Sequence, residues 1–201
     1  MTFDMSQPDA DLAALIAQRL CHDLVNPLGA VGNGLELMAM TQAETPEMAL
    51  MRNSLAQALG RIKLYRLAFG TAPEAGTVAG AEVVAALDAL GGSRPLTVCP
   101  DLPAVLPRVE ARLLALMALC AETALAWGGR LSAPVADRIE VAAEAPRLRL
   151  DPEVWGALAD RRDPAAASPT LVQFSLALRA AAQARRPITV DRSEGRVALV
   201  A

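Results

Sequence analysis

Apolar residues in the first seventy positions recur with a helical period. Leu20 and Leu24 are four apart, and from Leu24 the positions Leu28, Val31, Leu35 and Met38 follow at intervals of four, three, four and three. That spacing is a heptad seam, the pattern of helices packed side by side. Pro8, shortly after Ser6, suits a first helical turn, so the pattern predicts a helix from about Pro8 to about Thr41. Thr45-Pro46-Glu47 then supplies an N-cap, a proline at the first helical position and an acidic first turn. A second helix is predicted there, with Met48, Met51, Leu55, Ala58, Ile62, Tyr65 and Phe69 alternating three and four. Two such helices joined by a short turn form an antiparallel hairpin. A lone hairpin has too little surface to bury both seams, and a two-fold dimer completing a four-helix bundle removes the difficulty, so a homodimer is expected.

After the hairpin the pattern changes. Gly70 to Gly80, with Pro73 and three glycines, reads as a linker. The expected organisation is a hairpin at 1–70, a linker at 71–80 and an α+β unit at 81–201. Within the last, helices are predicted at 80–90, 107–127, 151–160 and 169–184. Strands are predicted at 95–99, 138–143, 147–150, 188–191 and 196–200, the last pair turned by Ser193-Glu194-Gly195. No internal repeat is visible.

Composition narrows the function classes. The chain is 53% hydrophobic with mean hydropathy +0.30, yet no run approaches the roughly 20 apolar residues of a membrane span, so the surplus points to protein interfaces. Met1 to Asp11 lacks a signal-peptide pattern, and a cytoplasmic location is expected. Cys21, Cys99 and Cys120 are odd in number and scattered, unlike a disulfide framework or a zinc site, and with a single histidine no metal centre is expected. A net charge of -3 and 3% aromatics offer nothing for nucleic acid.

That single histidine, His22, lies mid-helix in the string His22-Asp23-Leu24-Val25-Asn26-Pro27. Steps of four, seven and eleven place Asn26, Gly29 and Asn33 on its face of the helix. Gly29, Gly32 and Gly34 each cost about 1 kcal/mol against alanine in a helix interior, which suggests close approach by something else. Neutral imidazole is a nucleophile that can carry a phosphoryl group. Asp23 can orient the ring or accept its proton, and Asn26 can hydrogen-bond a phosphoryl oxygen or position a water. Phosphoryl transfer is mostly positioning and charge stabilisation, so few residues suffice.

The string HDLVNP on a heptad helix resembles the H-box of histidine kinase dimerisation domains. The longer string HDLVNPLGAVGNGLELM resembles the ChpT-type histidine phosphotransferases of alphaproteobacteria, and the segment TLVQFSLAL at 170–178 stands in the expected place. The resemblance implies a dimer of helical hairpins, each followed by a degenerate histidine-kinase ATPase-like α/β sandwich domain. It implies relay of phosphate from the receiver domain of a hybrid kinase to response regulators, CtrA-like and CpdR-like in that family.

A working kinase of this type needs an asparagine in the helix that holds Mg²⁺, and glycine-rich loops for the phosphates. All three asparagines here, Asn26, Asn33 and Asn53, lie in the hairpin, and no DxGxG or GxGxG string occurs. The helix expected to carry the metal-binding asparagine offers Glu122 and Thr123, and Gly128-Gly129 reads as a helix C-cap. The second domain is therefore expected to bind no nucleotide and the chain no cofactor, with Mg²⁺ arriving on the partner receiver. Partner docking is expected at Gly29 and Asn33 beside His22. Arg147 and Arg149 are further candidates, since alternate residues of a strand point the same way and can grip acidic receiver side chains. Trp127 and Trp155 are expected in the core, and Cys21 as a small buried helix residue.

The favoured reading is a phosphotransferase with His22 as transient carrier. Against it stand a non-catalytic receiver-binding protein that sequesters a regulator, and an ATP-dependent kinase, which the missing asparagine opposes. Phosphatase action through Asn26 is a further side activity consistent with the residues.

Overall fold

The computed structural model describes residues 6–72, 75–92, 94–164 and 168–201. The chain divides into two compact units, Met1–Thr71 and Ala72–Ala201. Among the described residues no helix is long and apolar enough to cross a membrane.

The first unit is the hairpin of α1 (Ser6–Thr41) and α2 (Pro46–Phe69). Thr45 caps α2 as its sequence predicts, its Oγ1 accepting from the Met48 N–H at 3.3 Å, and the Gly70 N–H closes the helix on the Arg66 carbonyl. The seam of α1 is split between two directions. Cys21 and Leu35 are buried, Leu28 is half-buried, and Leu55 of α2 lies beside Gly32. Leu20, Leu24, Val31 and Met38, expected on one seam with Leu35, are exposed, as is Met51 of α2. A helix turns 100° per residue, so only part of a broad apolar stripe can face a single neighbour.

The second unit holds a five-stranded sheet in the order β2-β4-β5-β7-β6 and a two-stranded pair, β1 with β3. Its elements run β1 (Thr77–Ala79), α3 (Gly80–Leu87), β2 (Leu96–Asp101), β3 (Val105–Pro107), α4 (Arg108–Ala124), β4 (Gly129–Pro134), β5 (Glu140–Glu144), α5 (Pro152–Ala159), α6 (Val172–Ala184), β6 (Thr189–Ser193) and β7 (Arg196–Val200). β2 and β4 are parallel, joined through α4, and the other pairings in the large sheet are antiparallel. Helix α4 packs on β4, β5 and β7 and against α6, and its residues from Leu113 to Ala121 are all buried. That double-sided burial explains why its sequence is almost continuously apolar.

Several expectations need correction. The segment 71–80 is more than a linker, since Thr77–Ala79 forms β1, paired with Val105–Pro107; Pro73 lies outside the described residues. Three-residue strands leave too short a pattern to read. β4 is not among the predicted strands either; Leu131 and Ala133 alternate with Arg130 and Ser132, but the run is short, opens on glycine and closes on proline. The strand expected at 147–150 does not form. Pro146 lacks a ladder donor, and the Arg149 N–H goes to the Ala124 carbonyl at 2.9 Å, satisfying the end of α4. Gly128 and Gly129 adopt φ of 93° and 137° and turn the chain from α4 into β4; Cβ atoms there would meet the carbonyl oxygens of Pro95 and Glu144 at 2.5 Å. They follow the helix cap, which is Leu125.

Candidate functional site

His22 lies on α1 with its side chain 70% exposed. Its Nδ1 is 3.2 Å from Asp23 Oδ1. The other oxygen, Asp23 Oδ2, accepts from Arg19 Nε at 2.7 Å, one helical turn back. The His22 hydrogen bond, then the Arg19 hydrogen bond, hold the Asp23 carboxyl below its ordinary range, so it is ionised at neutral pH. An ionised carboxylate can only accept, so the proton between the two belongs to Nδ1. Nε2 is then the nitrogen with the available lone pair, and it has no protein partner among the described residues.

Asn26, one turn on, is exposed and makes no side-chain hydrogen bond among the described residues. Pro27 follows it inside the helix. Having no N–H, it leaves the Asp23 carbonyl without its helical donor, a backbone irregularity of about 3 kcal/mol beside the histidine. Gly29 is half-exposed and Asn33 exposed, further along the same face. The three helix glycines prove unequal. A Cβ at Gly32 would sit 3.2 Å from Leu55 Cδ2, so helix packing accounts for it. At Gly29 and Gly34 a Cβ would meet nothing within 4 Å among the described residues, so no described packing contact calls for glycine there. Cys21, next to His22, is buried, and burial raises its thiol, in keeping with a packing residue.

The arginines of the second unit sit differently from expectation. Arg147 and Arg149 are both exposed while Leu148 and Leu150 are half-buried, so the alternation survives without a strand. The Arg147 guanidinium lies over the Trp127 ring, 4.1 Å from its centroid. Trp127 is 53% exposed and is not a core residue. It falls after α4 has ended, where no helical face carries it inward. Trp155 is fully buried, edge-to-face with Phe174 at 5.5 Å.

On α4, the side chain of Glu122 is 7% exposed, and its Oε1 accepts from the Gly91 N–H at 2.8 Å and from Arg94 at 2.7 Å. The Thr123 hydroxyl donates to the Cys120 carbonyl at 2.7 Å. Two residues escaped the sequence reading. Arg19 carried a legible signal, a cation four residues before an acid on a helix. Arg94 carried none, because its partner is 28 residues away.

A family model, the histidine phosphotransferase C-terminal domain, matches residues 80–196. The protein phosphotransferase ChpT of Brucella abortus (strain 2308) is 33% identical over 134 residues, 66% of this chain and 64% of the relative. The alignment thus spans somewhat less than two thirds of that protein. A solved structure described as a bacterial phosphotransferase superposes with a TM-score of 0.67 at 22% identity, covering 100% of this chain and 98% of the other, which establishes a shared fold.

Proposed function

The chain belongs to the histidine phosphotransferase family of the ChpT type, and on that premise we propose that it relays phosphate between receiver domains through His22 without using ATP. The observation that carries this reading is the pairing of His22 Nδ1 with an ionised Asp23, which leaves Nε2 nucleophilic on an exposed helix face. In the accepting step the Nε2 lone pair attacks the phosphorus of a receiver aspartyl phosphate. The N–P bond forms, the P–O bond to the aspartyl carboxylate breaks, and that carboxylate leaves with the electron pair. Nδ1 keeps its proton, the phosphorylated ring becomes cationic, and the Asp23 carboxylate balances the charge. The donating step is the reverse, onto the carboxylate of an acceptor regulator. Asn26, one turn on, offers an amide to a phosphoryl oxygen, and the Mg²⁺ of each step is expected with the receiver.

Two further features support a relay rather than a kinase. On α4 the Glu122 carboxylate is committed to Gly91 and Arg94 and the Thr123 hydroxyl to Cys120, so neither is available to a metal-bound triphosphate. No asparagine occurs outside the hairpin. The exposed stripe of Leu20, Leu24, Val31, Met38 and Met51 is best covered by a second copy in a four-helix bundle, giving a homodimer with two His22 sites. The empty space at Gly29, with Asn33, is assigned to the docked receiver, and Arg147 and Arg149 to its acidic residues. The donor is the receiver of a hybrid kinase, the acceptors are response regulators of the CtrA-like and CpdR-like kind, and the relay works in the cytoplasm.

The test offers the protein labelled ATP alone, then a phosphorylated receiver domain, with His22→Ala alongside. Acid-labile, base-stable label taken only from the receiver, and only with His22 present, supports the relay. Label from ATP alone restores a kinase, and receiver binding without label restores a sequestering protein.

A further inference from the structure

On a helix, adjacent residues point about 100° apart and do not face each other. Helix geometry alone therefore does not turn the Asp23 carboxylate toward the ring of His22. Arg19 stands three residues before His22 and four before Asp23, the two spacings at which helical side chains are neighbours. Its Nε takes Asp23 Oδ2 at 2.7 Å, leaving Oδ1 at 3.2 Å from His22 Nδ1, so the carboxylate bridges the guanidinium and the imidazole with one oxygen to each. The Arg19 side chain is 75% exposed. Such an exposed ion pair has little to do with folding stability. Resting on the reading of His22 as a phosphoryl carrier, we propose that Arg19 is a positioning residue of the transfer site, which aims Asp23 so that the ring proton stays on Nδ1 and Nε2 does the chemistry.

The consequence is measurable at a single residue, because the chain has one histidine and its two ring nitrogens give the only imidazole signals. The experiment records ¹⁵N spectra of the full-length protein with its ring neutral, together with the rate at which His22 takes phosphate from a phosphorylated receiver. Arg19→Gln is expected to lower the Nδ1–H fraction and slow transfer about tenfold, the lower range for losing an outer orienting partner. Arg19→Lys, which keeps the cation, recovers part of both. In an Asp23→Asn background, adding Arg19→Gln changes the rate by less than about twofold, because the two act through one hydrogen bond. Circular dichroism melts of the Arg19 variants match the wild type.

An unchanged tautomer ratio in Arg19→Gln overturns the proposal. So does an undiminished loss of rate in the Asp23→Asn background, which would make Arg19 a direct contact of the phosphoryl group or receiver. If the wild type takes no phosphate on His22, the carrier reading fails, and the tautomer ratio still decides whether Arg19 positions Asp23.

Discussion

Replacing Gly29 by alanine separates what the free chain prefers from what docking requires. Alanine is better than glycine in a helix interior by about 0.8–1 kcal/mol. At Gly29 no described contact subtracts from that gain, since a Cβ there meets no atom of the described residues within 4 Å. For a cooperative unit the size of Met1–Thr71, each kcal/mol is worth about 4–8 °C in Tm, so Gly29→Ala is expected to melt several degrees higher. Gly34→Ala should gain as much, as its site is equally open, and Gly32→Ala less, with Leu55 Cδ2 only 3.2 Å from the new methyl. Transfer should respond in the opposite order. Gly29 lies seven residues from His22 and shares its face, whereas Gly34, twelve residues away, is about a third of a turn round. A methyl at a tightly packed contact costs about 1–3 kcal/mol, so Gly29→Ala is expected to slow uptake from a phosphorylated receiver at least about fivefold while Gly34→Ala leaves it unchanged. Thermal melts and single-turnover phosphate uptake on the same samples decide it. Wild-type transfer in a stabilised Gly29→Ala would refute the idea that this glycine keeps room for the receiver. A lower Tm would show that the space is already filled in the free protein.

Three predictions concern the second unit and the cysteines. Trp155 Nε1 is buried with no hydrogen-bond partner among the described residues; Trp155→Phe, which removes that donor, should cost less than about 1 kcal/mol in denaturant unfolding, against about 3–5 for Trp155→Ala. Arg94→Ala removes the guanidinium paired with the buried Glu122 carboxylate, and given the partial exposure of Arg94 should cost about 2–4 kcal/mol, much of it recovered when Glu122→Leu is added; no recovery would show that the pair is not the source. Burial raises the thiols of Cys21 and, far more, Cys120, lowering their thiolate fractions, so native alkylation at pH 8 should modify half-buried Cys99 first; rapid labelling of Cys120 would contradict its placement inside α4.

How much of this was legible depended on the range of the interactions. The hairpin could be read because heptad spacing, the Thr45 cap and the proline at the start of α2 are all local, and the same is true of the Asp23 and Asn26 spacing around His22. The split of the α1 seam was not, because which half of an apolar stripe meets α2 is a tertiary choice. β4 became visible only through its parallel partner β2, whose register runs from Leu96 opposite Gly129 to Asp101 opposite Pro134. Residues 147–150 alternate like a strand and are none, because the Arg149 N–H serves the end of α4. Trp127, expected as a core packing residue, lies outside with the Arg147 guanidinium over its ring, a pairing that local sequence does not announce.

The central claim is that His22 stands between two aspartates. Its most direct test is a time course in which a receiver carrying labelled phosphate is mixed with this protein and an unphosphorylated response regulator, without ATP, and label is followed on all three chains. The account predicts that label leaves the donor, rises and falls on this protein at His22 Nε2, then accumulates on the regulator, with no flow through His22→Ala. Label reaching the regulator at an equal rate through His22→Ala, or settling on any other residue, would contradict it.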